Sequence, residues 1–260
     1  MPMRSHGSSV PTNRTVFVLI VIALLLFPFP SVSRAGEWRV TPIRLDLGRE
    51  ARSGAITVIN EVDGRLQVQM KAFEWTQDEE GKDKYAETED ILFFPRMMIF
   101  EKSEERIIRA GIRMPPAARE KTYRLFIEEI PEPRKAEGAN VAIAIRFGVP
   151  IFVKPLKEEV KGEIEKIGMS NGTVAARVRN AGNRHFVILS VVVKGKNGRN
   201  EEIFSKELSG WYILAGASRL YTTTVPPDAC PDLARLDIEV KTDTVTLPGS
   251  MVAEKSMCMP

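Results

Sequence analysis

Apolar and polar residues alternate along most of the chain after residue 36. The alternation predicts β-strands, because successive side chains of a strand point to opposite faces of its sheet. No long stretch carries the period of an amphipathic helix. The predicted strands span 38–47, 55–61, 65–75, 106–111, 122–130, 140–155, 158–168, 173–180, 186–195, 201–208, 218–225 and 233–242.

Turn-forming residues separate these strands. The strongest hairpin signals are Asn171-Gly172 and Asn197-Gly198, since asparagine and glycine tolerate the positive φ of tight hairpin turns. Short strands at regular spacing, with no helices between them, are typical of antiparallel β-sandwiches. We therefore predict an all-β fold with two immunoglobulin-like β-sandwich domains in tandem.

The domain boundary is predicted at Lys154-Pro155-Leu156, because the proline ends a long strand and stiffens the link that follows. Residues 36–154 would form the N-terminal domain and residues 155–260 the C-terminal domain. The charged segment 74–90 is predicted as a solvated loop within the first domain.

The longest alternation, residues 140–155, has an unusual face. Val141, Ile143, Ile145, Phe147 and Val149 share one parity, and Pro150 follows them. An ordinary core strand explains the alternation, but it explains the length and the proline less readily. Periodicity alone leaves two possibilities open: these side chains fill the domain's own core, or they are offered to another protein.

Residues 1–35 have the layout of a secretory signal peptide. Arg4 and Arg14 precede the apolar run Thr15–Phe27, and the small residues Ser33 and Ala35 follow it. The alternative is an uncleaved membrane anchor, but the run is shorter than the roughly 20 residues that span a bilayer. We expect cleavage, export and a mature chain beginning at Gly36 or Glu37, and with a Gram-negative type of secretion the compartment would be the periplasm.

Loss of the leader changes the charge balance. The chain has 37 basic and 34 acidic residues, and the leader holds three arginines and no acid, so the mature chain is balanced. No basic block is interleaved with aromatic residues, and we predict no nucleic-acid partner. In an exported chain, Cys230 and Cys258 are expected to form a disulfide worth roughly 3 kcal/mol, although two free thiols are the alternative.

The motifs of common enzymes are missing from the sequence. There is no GxSxG elbow, glycine-rich phosphate loop or HExxH motif, and His185 is the single histidine after the leader. His185 and the two cysteines lack the spacing of a zinc site. Adjacent acids, as in Glu128-Glu129, point to opposite faces of a strand. We predict a binding protein with no catalytic residues, no metal, no cofactor and no small-molecule substrate.

Several segments resemble the periplasmic pilus-assembly chaperones of the chaperone–usher pathway. They are Thr41–Leu45 (TPIRL), Glu120–Leu125 (EKTYRL), Glu129–Pro131 (EIP) and Asn140–Pro155, with a weaker match at Asn180–His185. The form FGVPIFVKP is similar to the archaic, Csu-like branch. The resemblance implies two immunoglobulin-like domains and a chaperone that uses no cofactor.

The resemblance also implies a mechanism. The partners would be pilus subunits, which lack their last strand, and an outer-membrane usher that receives them. The chaperone would lend its long strand to the subunit, with Val141, Ile143, Ile145 and Phe147 as the donated residues. The alternative function is that of a secreted, self-assembling structural or adhesive β-sandwich protein. In that case the same side chains would pack inward within this chain's own domain.

In the family, two basic residues hold the C-terminal carboxylate of the subunit. Arg44 matches the first of them, and an arginine fork suits a carboxylate. Pro150 occupies the position of the second, usually lysine, so the anchor is incomplete. Arg124 is predicted as the substitute, and Arg146 is a second candidate.

Three further residues match, with decreasing closeness, the ionic group that fixes the angle between the family's domains. They are Glu120, Lys154 and Asp243. Exposed ion pairs contribute about 0–1 kcal/mol, so such a group would set geometry more than stability.

Overall fold

The computed structural model describes residues 38–131 and 144–258, and within them the regular elements are β-strands and two short 3-10 turns. The chain is all-β, with two immunoglobulin-like β-sandwich domains in tandem. The strands of the first sandwich are β1 (Trp38–Thr41), β2 (Leu45–Leu47), β3 (Ser53–Asn60), β4 (Leu66–Gln77), β5 (Asp83–Glu87), β6 (Ile91–Phe94), β7 (Met97–Phe100), β8 (Glu105–Ile112), β9 (Lys121–Glu129) and β10 (Arg146–Val153).

Two sheets form the first sandwich. One has the strand order β1-β3-β8-β6 and the other β2-β10-β9-β4-β5, with β7 also pairing with β4. The predicted strand 38–47 is divided between them, because β1 pairs with β3 and β2 pairs with β10. Pro42 lies at the crossing, after a cis peptide bond, where proline interrupts strand pairing.

The second sandwich follows Val153 and holds the remaining strands. They are β11 (Gly162–Ser170), β12 (Thr173–Asn180), β13 (Phe186–Lys196), β14 (Glu202–Ser209), β15 (Tyr212–Ile213), β16 (Ser218–Thr224), β17 (Arg235–Thr242) and β18 (Thr246–Val252). Its sheets have the orders β11-β12-β16 and β14-β13-β17-β18, with β15 pairing with β13. The predicted disulfide is confirmed: Cys230 and Cys258 are bonded and join the two 3-10 turns.

Each sandwich has its own core, built from the inward-facing parity of its strands. In the first core Ile56, Val58, Val68 and Ile108 are fully buried between the sheets. In the second, Val178, Phe186, Val191, Leu236 and Val240 play the same part. These core residues lie on the apolar parity of the strands, which is the pattern from which the strands were predicted.

Local details differ from the sequence-based predictions. Segment 74–90 is not a loop: β4 continues to Gln77 and β5 returns over Asp83–Glu87 as a hairpin. Asn171-Gly172 forms the predicted tight turn, with positive φ at both residues. Asn197-Gly198 opens a longer loop instead, in which the Asn197 side chain accepts the Arg199 and Glu201 N–H groups.

The predicted leader, residues 1–35, lies outside the described residues. Among those that the model describes, no helix has the length and apolar character needed to cross a bilayer.

Candidate functional site

Strand β10 has one open edge. It pairs with β9 along its whole length, from Arg146 opposite Glu128 to Val153 opposite Lys121. On its other side, β2 covers only Ile151–Val153. Within 38–131 and 144–258, no strand pairs with the outer edge of Arg146–Pro150. Main-chain groups on such an edge are available to an incoming strand.

Pro150 fits this open edge without disturbing the ladder to β9. The Glu129 N–H donates to the Ile145 carbonyl at 2.9 Å, which marks a hydrogen-bonded pair. Hydrogen-bonded and non-bonded pairs alternate in antiparallel ladders, so Pro150 and Arg124 form a non-bonded pair. The missing N–H of Pro150 is therefore lost from the open edge and not from the β9 side.

The core-facing side chains of β10 become more exposed from Val153 towards the start of the strand. Val149, Ile151 and Val153 are at most 3% exposed and belong to the first core. Phe147 and Ile145 are half-buried against the rim of that core, and the Phe147 ring lies 4.5 Å from the Trp38 ring. The predicted donor residues Val141 and Ile143 lie outside the described residues. Ile145 and Phe147 therefore pack inward on this chain's own domain, as the alternative interpretation of the strand expected, but only at the rim and with part of their surface exposed.

Arg124 lies on the opposite face of the same sheet and is only 8% exposed. Its guanidinium is 4.0 Å from the centre of the Trp75 ring, and its Nη1 donates to the Tyr85 hydroxyl at 3.1 Å. The centre of the Trp211 ring, in the second sandwich, lies 5.8 Å from the Arg124 guanidinium carbon. No described carboxylate lies within 4.0 Å of Arg124, and its buried Nε has no hydrogen-bond partner. A buried cation without a counter-ion is costly, so this arrangement favours binding of an anion.

The surroundings of Arg124 depend on two neighbours. Burial raises the pKa of the Tyr85 phenol, although the Arg124 charge opposes that shift, so Tyr85 stays neutral beside the cation. Gly148 leaves space on β10, since a Cβ there would lie 2.9 Å from both Arg124 Cδ and Phe126 Cε1. Any side chain at position 148 would displace the Arg124 stem.

Arg44 and Arg124 flank Pro150 of β10, with Arg124 on the neighbouring strand β9 and Arg44 just before β2. The parallel register pairs Leu45 with Ile151, so Arg44 precedes β2 at the level of Pro150. Its side chain is exposed, and its Nε donates to Asp46 at 3.0 Å. The second candidate, Arg146, pairs with Glu128 at 2.6 Å and stacks on Phe126, so its charge is already neutralised.

The predicted ionic group does not assemble within the described residues. Glu120 is buried and accepts hydrogen bonds from the His185 backbone N–H, at 2.8 Å, and from its Nδ1. Lys154 instead lies 3.8 Å from Glu158, an exposed pair. Asp243 accepts the Val187 N–H at 2.9 Å and remains exposed. Of the three, Glu120 binds a buried residue of the second sandwich, whereas Lys154 contacts only Glu158 in the segment that follows it.

An aromatic group fills the joint between the sandwiches. Trp75, Phe152 and Leu214 are buried there, and the His185 ring stacks on Phe152 with centroids 3.6 Å apart. Sequence reasoning missed Trp75, Tyr85, Trp211 and the role of His185. For Trp75 the sequence held a signal. It lies on the face of β4 opposite to the core residues Val68 and Met70, and an isolated first sandwich would leave that face in water.

The first sandwich matches a known family of proteins. Residues 38–158 match the model of a family described as pili and flagellar-assembly chaperone, PapD N-terminal domain. The curated protein sequences contain no match to this chain.

Three solved structures with similar folds are chaperones of pili or fimbriae. The CsuC–CsuE pre-assembly complex from archaic Csu pili of Acinetobacter baumannii matches with a TM-score of 0.59 and 16% identity, over 81% of this chain and 98% of that one. The class 5 fimbriae chaperone CfaA gives 0.53 and 14%, over 84% and 100%. The Salmonella enterica SafA pilin complex with the SafB chaperone gives 0.50 and 14%, over 83% and 96%. Residues 38–158 therefore match the N-terminal domain of the PapD-type pilus and flagellar-assembly chaperones, and the fold of both domains is that of the solved chaperones.

Proposed function

We propose that this protein is a periplasmic chaperone that captures pilus subunits by donor-strand complementation and delivers them to an outer-membrane usher. The open edge of β10 beside the rim of the first core is the observation that carries the proposal. The match of residues 38–158 to the chaperone family supports it, and so do similar folds solved with a tip adhesion subunit and with a pilin. The leader predicted for residues 1–35 would supply the export that a periplasmic location requires.

The donated face would be Val141, Ile143, Ile145 and Phe147. Ile145 and Phe147 already lie half-buried at the rim, where a subunit's open core would extend this chain's own core. Burial of four such side chains from full exposure is worth about 6–12 kcal/mol before the costs of association are subtracted, and Ile145 and Phe147 contribute less than their full share because they are already half-buried. That range allows a stable complex whose subunit can still be passed on.

The anion expected at Arg124 would be the subunit's C-terminal carboxylate. Arg124 supplies a buried charge and Arg44 an exposed one, on either side of Pro150. An incoming strand on the open edge would end close to both. In this form of the anchor, Arg124 takes the place of the lysine that Pro150 replaces.

Co-expression with small, secreted β-rich proteins from the same gene neighbourhood tests the proposal. We expect a one-to-one complex that is lost when Ile143 and Ile145 are both changed to Asp. The matched control is Leu189→Asp in β13, because Leu189 is 61% exposed on the second sandwich. Complexes that survive the double change would contradict strand donation, and self-association without a subunit would favour the structural or adhesive alternative.

A further inference from the structure

The β4–β5 hairpin reaches from the first sandwich onto the second. The sequence analysis predicted that residues 74–90 form a solvated loop. Instead, the tip of this hairpin makes hydrogen bonds with residues more than 90 positions later in the chain. Among the side chains near the tip, those of Gln77 and Asp83 thus bind the other domain.

Gln77 makes the central contact. Its Nε2 donates to the Tyr212 carbonyl at 2.9 Å, and its Oε1 accepts the Leu214 N–H at 3.0 Å. The amide therefore pairs with the second sandwich as an added strand residue would. Both backbone groups flank the buried Leu214 of the joint, where an unpaired polar group would be costly.

Glu79 and Asp83, which follow Gln77 in the hairpin, also form hydrogen bonds with the second sandwich. Asp83 Oδ2 accepts the Trp211 Nε1–H at 3.1 Å, and the Glu79 carbonyl accepts a hydrogen bond from Arg177 at 2.9 Å. Gly81 has a φ of +78° and lies against Arg219, so that a Cβ would be 2.8 Å from the Ser218 carbonyl. The tip thus requires glycine both for its backbone conformation and for its close approach.

A second attachment lies elsewhere on the joint. Glu120 binds His185, and the Glu120 N–H donates to the Asn183 carbonyl at 2.8 Å. A single attachment near the chain crossing would leave the domains free to rotate about it. Two separate attachments restrict rotation to the line that joins them, and the packed Trp75, Phe152 and Leu214 oppose the rotation that is left.

We propose that the β4–β5 hairpin is an interdomain clasp that fixes the angle between the two sandwiches. It shares with Glu120 the task that the family resemblance assigned to an ionic group of Glu120, Lys154 and Asp243. The proposal concerns the free chain and does not depend on subunit capture. Tyr85, carried by the same hairpin, would also link the clasp to the position of Arg124.

Residual dipolar couplings of the isotope-labelled mature chain test the clasp, because they report the orientation of each sandwich separately. In the wild type we expect both sandwiches to share one alignment tensor. In Gln77→Leu, which keeps the volume but loses both hydrogen bonds, and in Gly81→Val, which cannot seat the tip, we expect the shared tensor to be lost.

The matched controls are Gln67→Leu, earlier on β4, and Gly198→Val, where a Cβ has nothing within 4 Å. Both should keep the shared tensor. Either clasp variant with a shared, unchanged tensor would overturn the proposal. So would collapse of the core amide shifts within a sandwich, because the hairpin would then be part of a domain core and not a clasp.

Discussion

At Arg124, subunit capture and folding stability are expected to respond differently to the same substitution. It is a buried cation with aromatic contacts but no carboxylate within 4.0 Å in the described chain. Methionine would fill a similar volume without the desolvation cost of the charge. We expect Arg124→Met to keep the free energy of unfolding within about 1 kcal/mol of the wild type, while subunit capture falls at least tenfold, about 1.4 kcal/mol.

Urea unfolding and co-purification of the subunit measure the two effects. Arg109→Met is the control for the loss of one positive charge, since Arg109 is exposed and forms no ion pair within the described residues. A variant that loses several kcal/mol of stability, yet binds subunit normally when folded, would show that Arg124 is structural.

Asp90 gives a pH-dependent prediction. The hydrogen bond from the Tyr123 hydroxyl, at 2.7 Å, is the main cause that lowers the pKa of Asp90, and Lys121 adds to it. A carboxylate whose pKa is lower in the folded state stabilises the fold above its unfolded pKa, and that contribution is lost as the pH falls.

We therefore expect the stability gap between wild type and Asp90→Asn to be constant above about pH 5 and to shrink below about pH 4. Urea titrations from neutral to acidic pH measure this gap. Asp228→Asn, at an exposed position with no recorded partner in the described chain, corrects for general acid effects. A gap that widens on acidification would contradict the assignment.

At the scale of elements, the strand edge of β10 makes its own prediction. Arg146 stands in a non-bonded pair with Glu128, so its N–H points to the open edge. We expect Arg146→Pro to leave the fold stable but to weaken subunit capture more than Arg146→Ala does, because only proline removes the donor.

Phe147→Pro should destabilise the first sandwich instead, since it breaks the ladder to β9. Thermal unfolding and complex yield distinguish these outcomes, and equal capture by Arg146→Pro and Arg146→Ala would argue against pairing at this edge.

Strand identity was predictable from the sequence wherever one face of a strand meets its own core. β12 begins and ends where the alternation predicted, and β3, β8 and β13 differ by two residues or fewer. Five strands were missed: β5, β6, β7, β15 and β18. In β5, β6 and β7 the exposed residues break the alternation, β15 has only two residues, and β18 carries Pro248 and Gly249 in its interior. Arg44 and Arg124 were found from a family resemblance, but the burial of Arg124 was not. It depends on Trp75, Tyr85 and Trp211, which meet only when the two sandwiches join.

The whole molecule behaves as two cores joined through a small third one. Domains in tandem usually move relative to one another unless their interface is large and apolar. Here Trp75, Phe152 and Leu214 are buried between the sandwiches and are flanked by the Gln77 and Glu120 attachments. We expect this joint to make the two sandwiches unfold together, in a single calorimetric transition.

A charge placed in the joint should uncouple them. Leu214→Asp would bury a carboxylate that lacks a cationic partner, and the strain is relieved most easily by separation of the sandwiches. We expect the single transition to split into two, each with a smaller enthalpy, while Leu189→Asp on the exposed face of β13 leaves it single. Scanning calorimetry measures the number of transitions, and a wild type that already unfolds in two steps would mean that the joint aligns the domains without coupling their stability.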